Sequence, residues 1–155
     1  MRLNVNSIRQ RLQKLEQYID ELEKQQSITV ETFRSDFTRQ LAVERAFQAA
    51  IEGCVDVAAH IVSVYQLGHP NESRDVFKFL IEAGYLEQDF GQAMMAMTGL
   101  RNRLVHLYWD IDVEKLYQYL QEDVALLRQF RDFTLQILTA EQDMGEDSPP
   151  QSITS

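Results

Sequence analysis

AFQAAIEGCVDVAAHIVSVYQLGHPNESRDVFKFLIEAG, residues 46–84, decides the fold. Ala46, Phe47, Ala50, Ile51, Cys54, Val55, Ala58, Ile61, Val62 and Tyr65 recur mostly three and four apart, which lays a broad apolar band along one side of an α-helix. A strand would alternate every second residue, and no convincing run of that kind occurs in the chain. Gly68-His69-Pro70-Asn71 breaks the pattern, with Gly68 read as the C-terminal cap and Pro70 just beyond it. Ser73 or Asn71 then reads as the cap of a short helix, RDVFKFLIEAG, which Gly84 ends.

Upstream, Phe33, Phe37 and Leu41 keep the period, so one helix is expected from about Val30 to Gln66. Before it, Val5, Ile8, Leu12, Leu15, Ile19 and Leu22 form a heptad-like seam, a narrow stripe suited to packing along one partner helix in this chain or another. Downstream, Asp89 opens a fourth helix through Phe90, Met94, Met97, Leu100 and Leu104. Asp112 caps a last one through Val113, Leu116, Leu120, Val124, Leu127, Phe130 and Ile137. The expected architecture is all-α, an up-and-down bundle of about five helices in one domain over residues 1–140. Residues 141–155, EQDMGEDSPPQSITS, read as a disordered acidic tail.

Composition narrows the function. The 155 residues suffice for one domain with a core of its own. Six Gly and three Pro are too few for the turns of a β-sandwich or barrel. One cysteine, Cys54, excludes an internal disulfide, and three His with one Cys offer no cluster at zinc spacing, so neither a metal nor a cofactor is expected. The polar N-terminus and the lack of an 18-residue apolar run point to a cytoplasmic protein with no membrane partner. The net charge of -9 argues against an extended nucleic-acid-binding face. The acidity is uneven, however: residues 46–100 carry 2 basic and 7 acidic side chains, whereas residues 101–140 carry 5 and 6.

Several reactive side chains have ordinary explanations. Met94, Met95 and Met97 sit at helical spacing beside Phe90 and Leu100 and read as core filling. Cys54 lies in the apolar band and reads as an inert thiol, His60 as a satisfied structural residue and His69 as a solvated turn residue.

LRNRLVHLYWD, residues 100–110, differs, because it gathers Arg101, Asn102, Arg103, His106 and Tyr108 within eight positions of an acidic chain. On an ideal helix Asn102 and His106 share a face, while Arg101 and His106 lie roughly 140° apart. Their tips meet only if the Arg side chain wraps or a second copy of the helix joins the site, which points to a dimer. A guanidinium fork suits a phosphate, and an imidazole exchanges protons near neutral pH. Together they suit metal-free RNA cleavage, a base activating the ribose 2'-hydroxyl and a cation stabilising charge on phosphorus. The alternative for the same residues is structural, with both arginines paired to acidic neighbours and His106 and Tyr108 hydrogen-bonded inside the bundle.

Arg101-Asn102, three residues, His106, one residue and Tyr108 resembles the signature of the HepT-like ribonuclease toxins of the HEPN superfamily. The similarity runs from about Leu41 to Leu127, through the Pro-containing turn and the placement of the motif on the fourth helix. It implies a metal-independent endoribonuclease, the toxin of a toxin–antitoxin pair, that forms a homodimer around two copies of the motif helix. By the same resemblance Arg101 stabilises the scissile phosphate and His106 is the general acid or base. Asn102 orients His106 or the phosphate, and Tyr108 is the position that an MntA-like nucleotidyltransferase antitoxin modifies with AMP. Arg103 departs from the family pattern and adds a cation for phosphate. The same residues also fit a non-catalytic helical dimer that serves as the substrate-binding partner of a nucleotidyltransferase. The N-terminal heptads extend the dimer contact or dock the antitoxin in either case.

Overall fold

The computed structural model describes residues 2–106 and 112–147. All regular structure among them is helical: α1 Val5–Gln25, α2 Val30–Ser35, α3 Phe37–Val64, α4 Asp75–Glu82, α5 Gln88–His106, α6 Val113–Glu122 and α7 Val124–Asp147. The all-α expectation holds, with seven helices among the described residues where about five were expected.

α3 is the centre of the bundle and packs against each of the other six helices. Its buried residues, Val43, Ala46, Phe47, Ala50, Ile51, Cys54, Val57, Ala58, Ile61 and Val62, recur three and one apart, which spreads the contact over more than one side of the cylinder. By length and composition α3 would also cross a membrane. Here the apolar residues named above, from Val43 to Val62, are buried under neighbouring helices, as in the core helix of a bundle.

α1 starts where Asn4 Oδ1 accepts the Ser7 amide at 3.0 Å. Its seam, Ile8, Leu12, Leu15, Ile19 and Leu22, is buried against α3 and α7 of the same chain. No large apolar side chain of α1 is exposed, so the heptads meet their partner within the chain and leave no stripe for a second molecule.

The expected long second helix is two helices. Asp36 ends α2 and caps α3, its Oδ1 accepting the Arg39 amide at 3.0 Å. That hydrogen bond holds the Asp36 carboxyl below the usual range. The break redirects the stripe, since Phe33 is buried while Phe37 is 69% and Leu41 48% exposed. The expected last helix also divides, at Asp123, whose amide bonds to Tyr119 O. Leu116, Leu120, Val124, Leu127 and Phe130 stay buried on both sides of that kink. α7 runs to Asp147, past the boundary read at residue 140. Glu141 is a packing residue there, accepting the Leu3 amide at 2.9 Å and the Tyr65 hydroxyl at 2.7 Å. The rest of the expected tail, residues 148–155, lies outside the described residues.

The end of α3 departs from the expected Gly68 cap. Leu67 N bonds to Val62 O and Gln66 N to Ser63 O, a Schellman pair whose left-handed residue is Gln66 at φ 55. Gly68 serves packing instead, because a Cβ there would lie 2.7 Å from the Phe79 ring. A side chain in the left-handed region costs about 1–2 kcal/mol. Gln66→Gly is therefore expected to stabilise the fold by about 1 kcal/mol, net of the chain entropy that glycine adds to the unfolded state. A higher urea midpoint at unchanged slope would show it.

α4 ends at Gly84, as expected, with φ 83 and the Tyr85 amide bonded to Leu80 O. The tight turn lays α4 antiparallel on α5, bringing Ile81 beside Gly91 and Ser73 beside Arg101. A Cβ at Gly91 would come within 2.3 Å of Ile81 Cγ1. That atom sits on a β-branched side chain with little freedom to swing aside. Overpacking of this kind costs about 1–3 kcal/mol, against the roughly 1 kcal/mol that Ala gains over Gly inside a helix. Gly91→Ala is expected to lower the thermal midpoint by a few degrees; an unchanged or raised midpoint would show that the helices can part without cost.

Candidate functional site

Phe90, Met94 and Met97 form the buried stripe of α5, and Arg101 is the next residue in that row, within about 20° of Phe90 on an ideal helix. A permanently charged side chain thus continues an apolar seam. It is half-buried, its Nη2 donates to Ser73 Oγ at 2.9 Å, and its Nε is buried without a hydrogen-bond acceptor among the described residues. Buried donors are seldom left unmatched, because the lost hydration is not repaid. An anion at the guanidinium would match it.

Asn102 and Arg103, the next two positions, are exposed. Arg103 Nη2 donates to the Tyr119 hydroxyl at 3.0 Å, joining the end of α5 to α6. His106 closes α5. Tyr108, the expected modification position, lies outside the described residues. Arg101, Asn102, Arg103 and His106 therefore share the last two turns of one helix, with Arg101 on its buried side and Asn102 and Arg103 on its open side.

The two arginines differ from most others in this chain. Arg11 pairs with Asp56, Arg34 with Glu114, Arg39 with Asp36, Arg74 with Glu72, Arg128 with Glu23, and Arg131 with Glu16 and Asp132. Among the described residues Arg101 and Arg103 have hydroxyl partners and no carboxylate. The structural alternative, in which acidic neighbours neutralise both, finds no support there. Surface ion pairs are worth little to stability, but at these positions a carboxylate would cancel the charge available to a phosphate.

Ser73 was foreseen only as a possible helix cap, and it does not cap. Nor does Asn71: Arg74 stands at the N-cap with no side-chain cap bond, and Asp75 instead fixes the preceding loop by reaching back, its Oδ2 accepting the Asn71 and Glu72 amides at 3.0 Å each. The Glu72 amide, then the Asn71 amide, hold the Asp75 carboxyl below the usual range. With the loop fixed in this way, the Ser73 hydroxyl is left to Arg101. No local signal in the sequence points to this contact, because Ser73 and Arg101 are 28 residues apart.

The remaining candidates are structural, as expected. Cys54 is fully buried and burial pushes its thiol up, away from reactivity. Met94 and Met97 are buried in the core. His60 Nε2 accepts the Asn4 amide at 3.1 Å. His69 is exposed in its turn.

Comparison with known proteins shows the family of this chain. The family described as "Ribonuclease HepT-like" matches residues 10–134, a longer span than the Leu41 to Leu127 of the sequence resemblance. The chain is 35% identical over 100 residues, 64% of its length and 75% of the relative's, to the mRNA nuclease HepT of Shewanella oneidensis. It is 32% identical over 110 residues, 71% of its length and 75% of the relative's, to the tRNA nuclease HepT of Aphanizomenon flos-aquae. Among solved structures, the tri-AMPylated Shewanella oneidensis HEPN toxin in complex with MNT antitoxin superposes with a TM-score of 0.77 at 28% identity, covering 86% of this chain and 98% of that one. With a HEPN-like helical bundle and a family match across most of its length, this chain belongs to the HepT-like ribonucleases.

Proposed function

We propose that the protein is the toxin of a toxin–antitoxin pair, a cytoplasmic endoribonuclease that cleaves RNA without metal through attack of the ribose 2'-hydroxyl. The observation that carries the reading is Arg101, a guanidinium set into an apolar seam with a buried unmatched Nε and only a neutral partner among the described residues. His106 takes the proton of the 2'-hydroxyl, whose oxygen then attacks phosphorus. Arg101 stabilises the extra negative charge on the phosphoryl oxygens. The bond to the 5'-oxygen breaks and that oxygen takes up a proton, leaving a 2',3'-cyclic phosphate and a 5'-hydroxyl. Asn102 orients His106 or the phosphate, and Arg103, exposed on the same turn, adds a contact to the RNA backbone.

The working unit in this reading is a homodimer. Asn102 and Arg103 stand on an open surface, and a second copy of α5 would turn that surface into a cleft with doubled positive charge. Such a local patch is compatible with a net charge of -9, because the field in a cleft depends on the charges that line it. The partner is an MntA-like nucleotidyltransferase antitoxin that attaches AMP to Tyr108.

The test is cleavage of labelled single-stranded RNA and tRNA by protein purified free of antitoxin, in the presence of a chelator, with the ends of the products identified. Cyclic phosphate ends are expected. Intact RNA, together with a stable nucleotidyltransferase complex and harmless overexpression, would favour the non-catalytic substrate-binding dimer instead.

A further inference from the structure

We propose that Ser73 is the positioning residue of Arg101, a role that rests on the ribonuclease reading of the same site. The contact at 2.9 Å spans 28 residues of sequence and joins the loop before α4 to the last turns of α5. Both ends are constrained. On one side Asp75 ties down the Asn71 and Glu72 amides, which sets the loop. On the other, the approach of Ile81 to Gly91 fixes how closely α4 lies on α5. The hydroxyl therefore meets the guanidinium at a place the backbone has already determined.

The chemistry of the contact matters as much as its place. A long arginine side chain loses rotamer freedom when it is held, and Ser73 Oγ takes up one of the five N–H donors to hold it. A carboxylate in that position would hold it more firmly but would neutralise the charge that the phosphate needs. A hydroxyl is neutral, so the guanidinium stays oriented with its full charge and its remaining donors available. The buried Nε, unmatched among the described residues, fits this arrangement: it is desolvated in advance, and its missing partner is the phosphate oxygen on which charge develops.

Ser73→Ala removes the acceptor, and Ser73→Thr keeps it. In single-turnover cleavage Ser73→Ala is expected to be about tenfold slower than wild type, with most of the rate recovered in Ser73→Thr. In a His106→Ala background, where the expected slow cleavage leaves time to measure binding, Ser73→Ala is expected to change RNA affinity by less than about threefold, placing the effect on the reacting state. The Arg101 Nε–H signal in an NMR spectrum supplies a readout independent of cleavage: one slowly exchanging peak in wild type and Ser73→Thr, broadened in Ser73→Ala. If Ser73→Ala cuts as fast as wild type while Arg101→Ala does not cut, the role of Ser73 is overturned and the ribonuclease reading stands. Equal losses in Ala and Thr would likewise overturn it, since they would reflect packing and not the hydroxyl. If wild type leaves RNA intact, the ribonuclease reading fails; an unchanged Nε–H signal in Ser73→Ala would then overturn the positioning role as well, and a broadened one would uphold it.

Discussion

Arg101→Ala is expected to slow RNA cleavage by about 10²–10³-fold, the scale of losing one preorganised group that stabilises developing charge. His106→Ala is expected to cost about 10²–10⁴-fold, the scale of a general acid–base. The double variant should be little worse than the poorer single one, because groups that act on one transition state do not contribute additively. Arg101→Lys keeps a charge but lacks the planar fork and Nε, so it should fall between Arg101→Ala and wild type. Folding and catalysis separate at this position. Deleting Arg101 removes a buried donor that nothing among the described residues matches, so the thermal midpoint of Arg101→Ala should equal or exceed that of wild type. A slow but stable variant supports a functional guanidinium. A variant that cuts at the wild-type rate would return Arg101 to the role of a structural side chain, whatever its effect on stability.

How the fold was legible follows from where its periodicity is continuous. The apolar residues of α3 repeat three and four apart across the whole buried part of the helix, and that repeat alone identifies the core helix. The two missed breaks share a cause. At Asp123 the row Leu120, Val124, Leu127 stays in phase through a kink of one residue, so no apolar pattern betrays it. At Asp36, Phe33, Phe37 and Leu41 are also in phase, yet the last two face outward; the deciding feature was a capping carboxylate, a local hydrogen bond that competes with the helix ladder. Gly68 misled for a related reason. Glycine marks many helix ends, but here Gln66 accepts the left-handed conformation and Gly68 is needed by the Phe79 ring.

The site was legible to the extent that it lies on one helix. Arg101, Asn102, Arg103 and His106 are neighbours in sequence, so helical geometry alone relates them. Which face each would occupy depended on tertiary packing: Arg101 joins the stripe of Phe90, Met94 and Met97, and that requires knowing which stripe is buried. Ser73 was out of reach for a different reason. It is 28 residues away in sequence, and its contact exists only because α4 folds back on α5. The heptads of α1 show the reverse case, where the pattern was right and its partner open, until burial against α3 and α7 assigned it to the same chain.

Tyr108→Phe is expected to leave cleavage intact and to abolish its control by the nucleotidyltransferase. Tyr108 is two positions after His106, and a step of two residues spans at most about 7 Å between Cα atoms. A group as large as AMP on Tyr108 is therefore attached within reach of the proposed site. In the proposed modification, the phenol oxygen attacks the α-phosphorus of ATP, the bond to the pyrophosphate oxygen breaks, and the phenol proton is lost to a base. The product carries a phosphodiester with one negative charge and a bulky nucleoside. That anion is attracted to the same uncancelled guanidinium that the RNA phosphate requires, and it repels RNA from the cleft. Phenylalanine has no oxygen to form the bond. On coexpression with the nucleotidyltransferase and ATP, wild type should gain the mass of AMP and stop cutting, whereas Tyr108→Phe should gain none at that position, continue to cut and arrest growth. If Tyr108→Phe is silenced as completely as wild type, contact with the antitoxin is sufficient, and the negative charge at Tyr108 plays no part in control.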